Sequence, residues 1–188
     1  MGAMMVLGCV PLYNIYAVIV LQAESPNIES KGKLKKTLIG VITNPIIIGV
    51  VLGLVSSLIG IKYPTLIDTS LNYVARIATP LAVICIGGEF DLKSAFGSMK
   101  KSVVASVIKL IILPLVFVPI AVALGFETEK LVAIFIMLAG PTTPSCFIMA
   151  KQYGYEGTIT ASVVVITTLF SSVTLTVFIL ILRSLGLI

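Results

Sequence analysis

The stretch AGPTTPSCF, residues 139–147, sets two prolines, Pro141 and Pro144, three residues apart. Gly140 precedes them, and three hydroxyl side chains, Thr142, Thr143 and Ser145, surround them. A proline inside a helix has no N–H to give the carbonyl four residues back, and its ring clashes with that carbonyl. Two of them beside a glycine should interrupt a helix rather than bend it. A helix that restarts after such a break offers N–H groups and the positive end of its dipole, which suit an anion or a polar solute. Thr143 as N-cap and Pro144 at the first helical position form a start signal for that second half. The alternative is a packed proline kink, with the Thr and Ser hydroxyls satisfying the freed carbonyls.

Other polar residues stand in apolar surroundings. Asn14 lies in PLYNIY, where its amide needs a partner, either on a neighbouring helix or in a solute. Arg76 precedes Thr79–Pro80 by one turn and sits roughly 15 Å into its apolar run at about 1.5 Å per residue. A charge at such depth is a functional candidate, though Asp68 or Glu89 could also pair with it. Lys109 is two turns into its run, as a site residue or as a side chain snorkelling to the surface. Asn44–Pro45 reads as an interfacial turn. The last run carries Thr160, Ser162, Thr167, Thr168, Ser171, Ser172, Thr174 and Thr176, which first suit close helix packing and then cavity lining.

Enzyme chemistry finds no footing. The chain has no His, so a Ser–His pair is excluded within it. No acidic cluster inside an apolar run offers metal ligands or a two-carboxylate acid/base pair. No phosphate-binding glycine loop appears, so no cofactor is expected. Cys9, Cys85 and Cys146 are far apart, without metal-ligand spacing, and read as buried structural thiols.

The elements that must position these residues are membrane spans. Of 188 residues, 58% are hydrophobic and 11% charged, where a soluble domain carries about 25% charged. Mean hydropathy is +1.15. A span needs about 20 apolar residues. Six candidates follow: Gly2–Leu21, Leu38–Ile59, Leu66–Gly87, Ser102–Leu124, Leu131–Ala150 and Thr158–Leu182. Backbone groups in lipid must be satisfied internally, so these are helices. The fifth is the discontinuous one, with halves at Lys130–Ala139 and Pro144–Gln152.

The net charge of +5 sits in the connections, which argues topology rather than nucleic-acid binding. The first connection has Lys31, Lys33, Lys35 and Lys36, the third Lys93, Lys100 and Lys101, and the fifth Lys151. The second has only Lys62 and the fourth only Lys130. The positive-inside rule therefore makes residues 22–37, 88–101 and 151–157 cytoplasmic and places both ends outside. The first connection, long and rich in Ser and Lys, reads as a linker between two structural units.

VPLYNIYAVIVL, the basic linker, TNPIIIGVVLGL, ATPLAVICIGGEFDL and AGPTTPSCFIMAKQYG occur in the order that resembles the auxin efflux carrier family, whose bacterial members include malate permeases. The resemblance covers essentially the whole chain. It implies an all-α polytopic membrane bundle, the second half of a 5+5 inverted-repeat carrier whose broken helices cross near the membrane centre. On that pattern residues 1–21 are the last helix of the first repeat, 22–37 the cytoplasmic linker and 38–188 the second repeat. Helices in 38–88 are scaffold and those in 102–182 form the transport domain. Four helices of that pattern are missing, so the resemblance implies a C-terminal fragment, a truncated reading frame or half of a split carrier.

The resemblance also implies a secondary carrier of a small organic anion in the inner membrane, working by alternating access. Asn14, Pro141, Thr142, Thr143, Pro144, Ser145, Arg76 and Lys109 would line its path. Its partners would be the solute, the lipid bilayer, and either a second copy or an N-terminal half. The alternatives are a non-transporting membrane protein of structural or regulatory role and a carrier of the bile-acid or sodium/proton exchanger type. The exchanger type needs acids in mid-span, whereas Glu89 and Asp91 lie at a segment end.

Overall fold

The computed structural model describes residues 2–24, 39, 40, 42–126 and 128–188, and all its regular structure is helical. In chain order the elements are α1 (Gly2–Ala23), α2 (Pro45–Ile59), α3 (Thr65–Glu89), α4 (Leu92–Val107), a π-helical turn at Ile108–Ile112, α5 (Leu113–Ala123), α6 (Thr128–Ala139), α7 (Ser145–Gln152) and α8 (Thr158–Ser184). Residues 25–37 of the expected linker lie outside the described residues.

Among the described residues three helices are long and apolar enough to span a bilayer: Thr65–Glu89, Lys93–Ala123 and Thr158–Ser184. Gly8–Ala23 and Pro45–Ile59 are apolar but shorter. The fifth expected span is divided into α6 and α7. The fourth is longer than its apolar stretch suggests, because the helix begins at Leu92 rather than near Ser102. Asp91 is the reason for the earlier start. Its carboxylate accepts from the Lys93 and Ser94 N–H groups at 3.0 and 3.3 Å and from the Ser94 hydroxyl at 2.5 Å, a strong N-cap. The Ser94 hydroxyl, then these N–H groups, hold the Asp91 carboxyl below its ordinary range.

Single prolines leave helices whole. Pro11, Pro80 and Pro119 all lie inside continuous helices. α2 starts on Pro45 with Asn44 as its cap, the Asn44 Oδ1 accepting from Ile46 and Ile47 N–H at 2.9 and 3.3 Å.

α4 through α8 pack together, with α8 lying along α4 and crossing the π turn, α6 and α7. One core joins Val118 and Ala121 of α5, Leu131, Phe135 and Ala139 of α6, and Leu182 of α8. The Phe135 and Phe178 rings meet at 5.9 Å. A second core joins Ile86 of α3, Phe147 of α7, and Ala161 and Val164 of α8. Gly157 opens α8 with φ 79°, and a Cβ there would come within 2.8 Å of the Phe147 ring. Only a glycine allows the turn to pass so close to α7. α1 touches α2, α6 and α7, while α3 meets α7 and is otherwise almost uncovered by the described residues. Uncovered apolar helix faces are what lipid or further membrane helices require.

Candidate functional site: a helix break between two cores

The break between α6 and α7 falls where one core ends and the other begins. Its construction can be followed carbonyl by carbonyl. The Ile136 carbonyl still receives the Gly140 N–H, at 2.9 Å. The Met137 carbonyl would receive from residue 141, but Pro141 has no N–H. The Leu138 carbonyl would receive from Thr142, but that N–H is turned to the Thr167 hydroxyl on α8, at 3.1 Å. Pro144 likewise has nothing to give the Gly140 carbonyl. Two prolines and one diverted amide thus strip the end of α6.

Lys109 fills part of that gap. Its Nζ donates to the Leu138 carbonyl at 2.9 Å and lies 3.5 Å from the Met137 carbonyl. Those carbonyls lie in the last turn of α6, the negative end of its dipole, where a cation is favoured. Lys109 therefore turns inward to the break instead of snorkelling to the surface. It sits in the π turn, where Leu113 donates to Ile108 across five residues. The extra residue of a π turn re-aims neighbouring side chains, and such turns recur at functional positions.

On the other side, Thr167 is fully buried and its hydroxyl donates to the Val163 carbonyl at 2.7 Å while accepting from Thr142. The break is thus fastened by a cation from the π turn and a hydroxyl from mid-α8. Between them, residues 141–146 run in alternation: Pro141, Thr143 and Ser145 are exposed, while Thr142, Pro144 and Cys146 are half-buried. The open side carries two hydroxyls and one proline ring.

The start of α7 differs from the sequence expectation. Thr143 is not the N-cap and Pro144 is not the first helical residue. Pro144 takes the cap position with helical angles, φ −54° and ψ −25°, and makes no side-chain cap bond. Backbone carbonyls do the capping instead. Thr143 O accepts from Cys146 N–H at 3.0 Å, and Pro144 O accepts from Phe147 and Ile148 N–H at 3.1 and 3.3 Å. This tight turn leaves the Thr143 hydroxyl uncommitted to the helix, and it places Ser145 first in α7.

Asn14 and Arg76 are not brought to this cluster by any described hydrogen bond. Asn14 is buried on α1, and its amide donates to the Val10 carbonyl of the same helix at 2.8 Å. Its helix nevertheless runs beside both α6 and α7. Arg76 is exposed on α3. The acids considered as its partners are engaged elsewhere: Asp68 accepts from Asn72 at 3.3 Å, and Glu89 pairs with Lys151 at 2.6 Å.

Sequence reasoning did not single out Thr167, which is one of ten hydroxyls on α8 with nothing in its spacing to set it apart. It also missed the second role of Asn44. Beyond capping α2, the Asn44 amide donates to the Tyr153 hydroxyl at 3.2 Å, just past the end of α7.

The family model described as membrane transport protein matches residues 16–179, from α1 to near the end of α8. The chain belongs to this family, the auxin efflux carriers. No curated protein and no solved structure matches it. Membership makes the chain an integral membrane transport protein rather than an enzyme, and it accounts for the uncovered apolar faces of α2 and α3. In such a transporter an unwound segment is tolerated in the membrane only where protein or a water-filled path covers it. The break in this family member has protein on two sides and hydroxyls on a third.

Proposed function

We propose that this chain supplies the solute-binding element of a secondary carrier for a small organic anion, working by alternating access. The observation that carries the reading is the break held open by Lys109 and Thr167, with the Thr143 and Ser145 hydroxyls on its open side. A carboxylate there meets the N-terminal end of the α7 dipole, two hydroxyl donors and the nearby ammonium. The described carboxylates lie away from it, at helix ends or in connections: Glu24, Asp68, Glu89, Asp91, Glu129 and Glu156. The local field therefore favours an anion.

In this reading Pro141, Thr142 and Pro144 shape the path, Thr143 and Ser145 touch the solute, and Lys109 acts on it through its field. Asn14 and Arg76 would approach only as α1 and α3 shift. The packing supports a division into α4 to α8 as the moving body and α2 and α3 as a scaffold, with a second copy or an N-terminal half completing the path. The inner membrane is its proposed location.

The test is uptake of labelled malate and related carboxylates into proteoliposomes, with the completing half co-reconstituted where needed. Joint replacement Thr143→Ala and Pro144→Ala should reduce uptake at least tenfold. Undiminished uptake by that variant would sink the proposal.

A further inference from the structure

We propose that Lys109 is a positioning residue that supplies, from within the chain, the cation required at the stripped end of α6, so that binding at the break needs no bound Na⁺ or K⁺. The inference rests on the carrier reading above but is tested without it. Three observations lead to it. First, Pro141 and the diverted Thr142 N–H leave the Met137 and Leu138 carbonyls without their helical donors, and Lys109 Nζ stands at 3.5 and 2.9 Å from these two oxygens. Converging backbone carbonyls at the negative end of a helix in low dielectric are what a small hard cation binds. Second, the ammonium reaches them because of the π turn at Ile108–Ile112, a feature that costs regular hydrogen bonding and sits beside the break. Third, the described carboxylates lie at helix ends or in connections, so none of them competes at the break for the ammonium or offers a cation other ligands there.

A lysine held this way does two things. It neutralises the end of α6 permanently, and it keeps the unwound segment at a fixed distance from the π turn. A bound metal ion would do the same but could leave. The chain should accordingly show no dependence on monovalent cations, and it should acquire one when the ammonium is removed and the carbonyls are left facing a void.

The experiment is thermal unfolding of the purified full chain in detergent, in choline chloride, NaCl, LiCl and KCl at equal ionic strength. The wild type should melt at one temperature in all four salts. Lys109→Ala should melt roughly 5 °C lower in choline, the scale of losing one charge-assisted bond. NaCl or LiCl should return a good part of that loss. Lys109→Arg keeps the charge and should melt near the wild type, indifferent to the salt. Lys109→Gln keeps donors without charge and should behave as Lys109→Ala does.

A wild type stabilised by Na⁺ over choline would overturn the inference. So would a Lys109→Ala protein as stable as wild type, or one that no cation restores, since either means the site needs bulk or nothing. If neither neutral variant can be purified but Lys109→Arg can, charge itself is the requirement and the inference stands; failure of Lys109→Arg as well overturns it. A wild type that passes these tests but takes up no carboxylate would end the carrier reading for this chain and leave the role of Lys109 intact.

Discussion

At the scale of single residues, the break depends on who receives and who gives each hydrogen bond. Thr167 is the cleanest case. Its hydroxyl accepts the Thr142 N–H and spends its single proton on Val163 O. Thr167→Val keeps the shape and removes the acceptor. The orphaned amide should cost about 1–3 kcal/mol, which lowers the melting temperature by roughly 2–4 °C per kcal/mol for a chain of this size. Thr167→Ser should restore most of it; a valine variant that melts with the wild type would show that the amide finds another partner. Such roles were only half legible in the sequence. The prolines announce which carbonyls lose donors, because proline chemistry is local. Which side chains meet the freed carbonyl and take the diverted amide depends on packing between segments 25 to 29 residues apart, and no local signal reports that. Thr143 shows the opposite error: it has the right type and place for an N-cap, but Pro144 takes the cap position and the Cys146, Phe147 and Ile148 N–H groups close on the Thr143 and Pro144 carbonyls instead.

At the scale of elements, the contrast among prolines is instructive. Pro11, Pro80 and Pro119 are carried inside helices, while Pro141 and Pro144 separate α6 from α7. A lone proline frees one carbonyl, and neighbours absorb it. Two at this spacing, with Gly140 ahead, free carbonyls one turn apart, and regular winding no longer continues. Gly140 itself has little room, since a Cβ would lie 2.9 Å from Ile136 O. Pro141→Ala tests whether the prolines enforce the break. Alanine returns an N–H to Met137 O and favours helix over proline by about 3 kcal/mol. Thermal stability should hold or rise as α6 lengthens, while binding of a labelled carboxylate in equilibrium dialysis falls at least tenfold. A clear loss of stability would instead mean that the surrounding helices demand the break whatever residue stands there. The existence of this discontinuous element was readable in advance. The length of the α4–α5 run was not, because hydropathy marks only its apolar part and the cap at Asp91 extends it.

At the scale of the whole molecule, contacts among the described residues tie the flanks of the first connection to the third and fifth. Lys151 after the break pairs with Glu89 at the end of α3, at 2.6 Å. Asn44, which follows the first connection, bonds Tyr153 at 3.2 Å, and the Tyr155 hydroxyl bonds Leu21 O at 3.1 Å. The residues that flank the first connection thus lie at the same end as the third and fifth connections, which is the grouping that the alternation of lysines predicts. The helical stretch with Lys93, Lys100 and Lys101 fits the same picture. The 31-residue run Lys93–Ala123 is about 46 Å long, against a hydrocarbon core of about 30 Å, so its first turns stand clear of the lipid. Which end faces the cytoplasm follows from charge alone, and that makes it worth measuring. In a background with Cys9, Cys85 and Cys146 changed to Ser, single cysteines at Glu156→Cys and Lys62→Cys report opposite ends. A membrane-impermeant maleimide should label Lys62→Cys in intact cells and Glu156→Cys only in inverted vesicles. Labelling of both from one side would break the shared-end arrangement, and the reverse pattern would turn the molecule over, with the lysine-rich end outside. Either result would also move the open face of the break relative to the solute pool that it is proposed to serve.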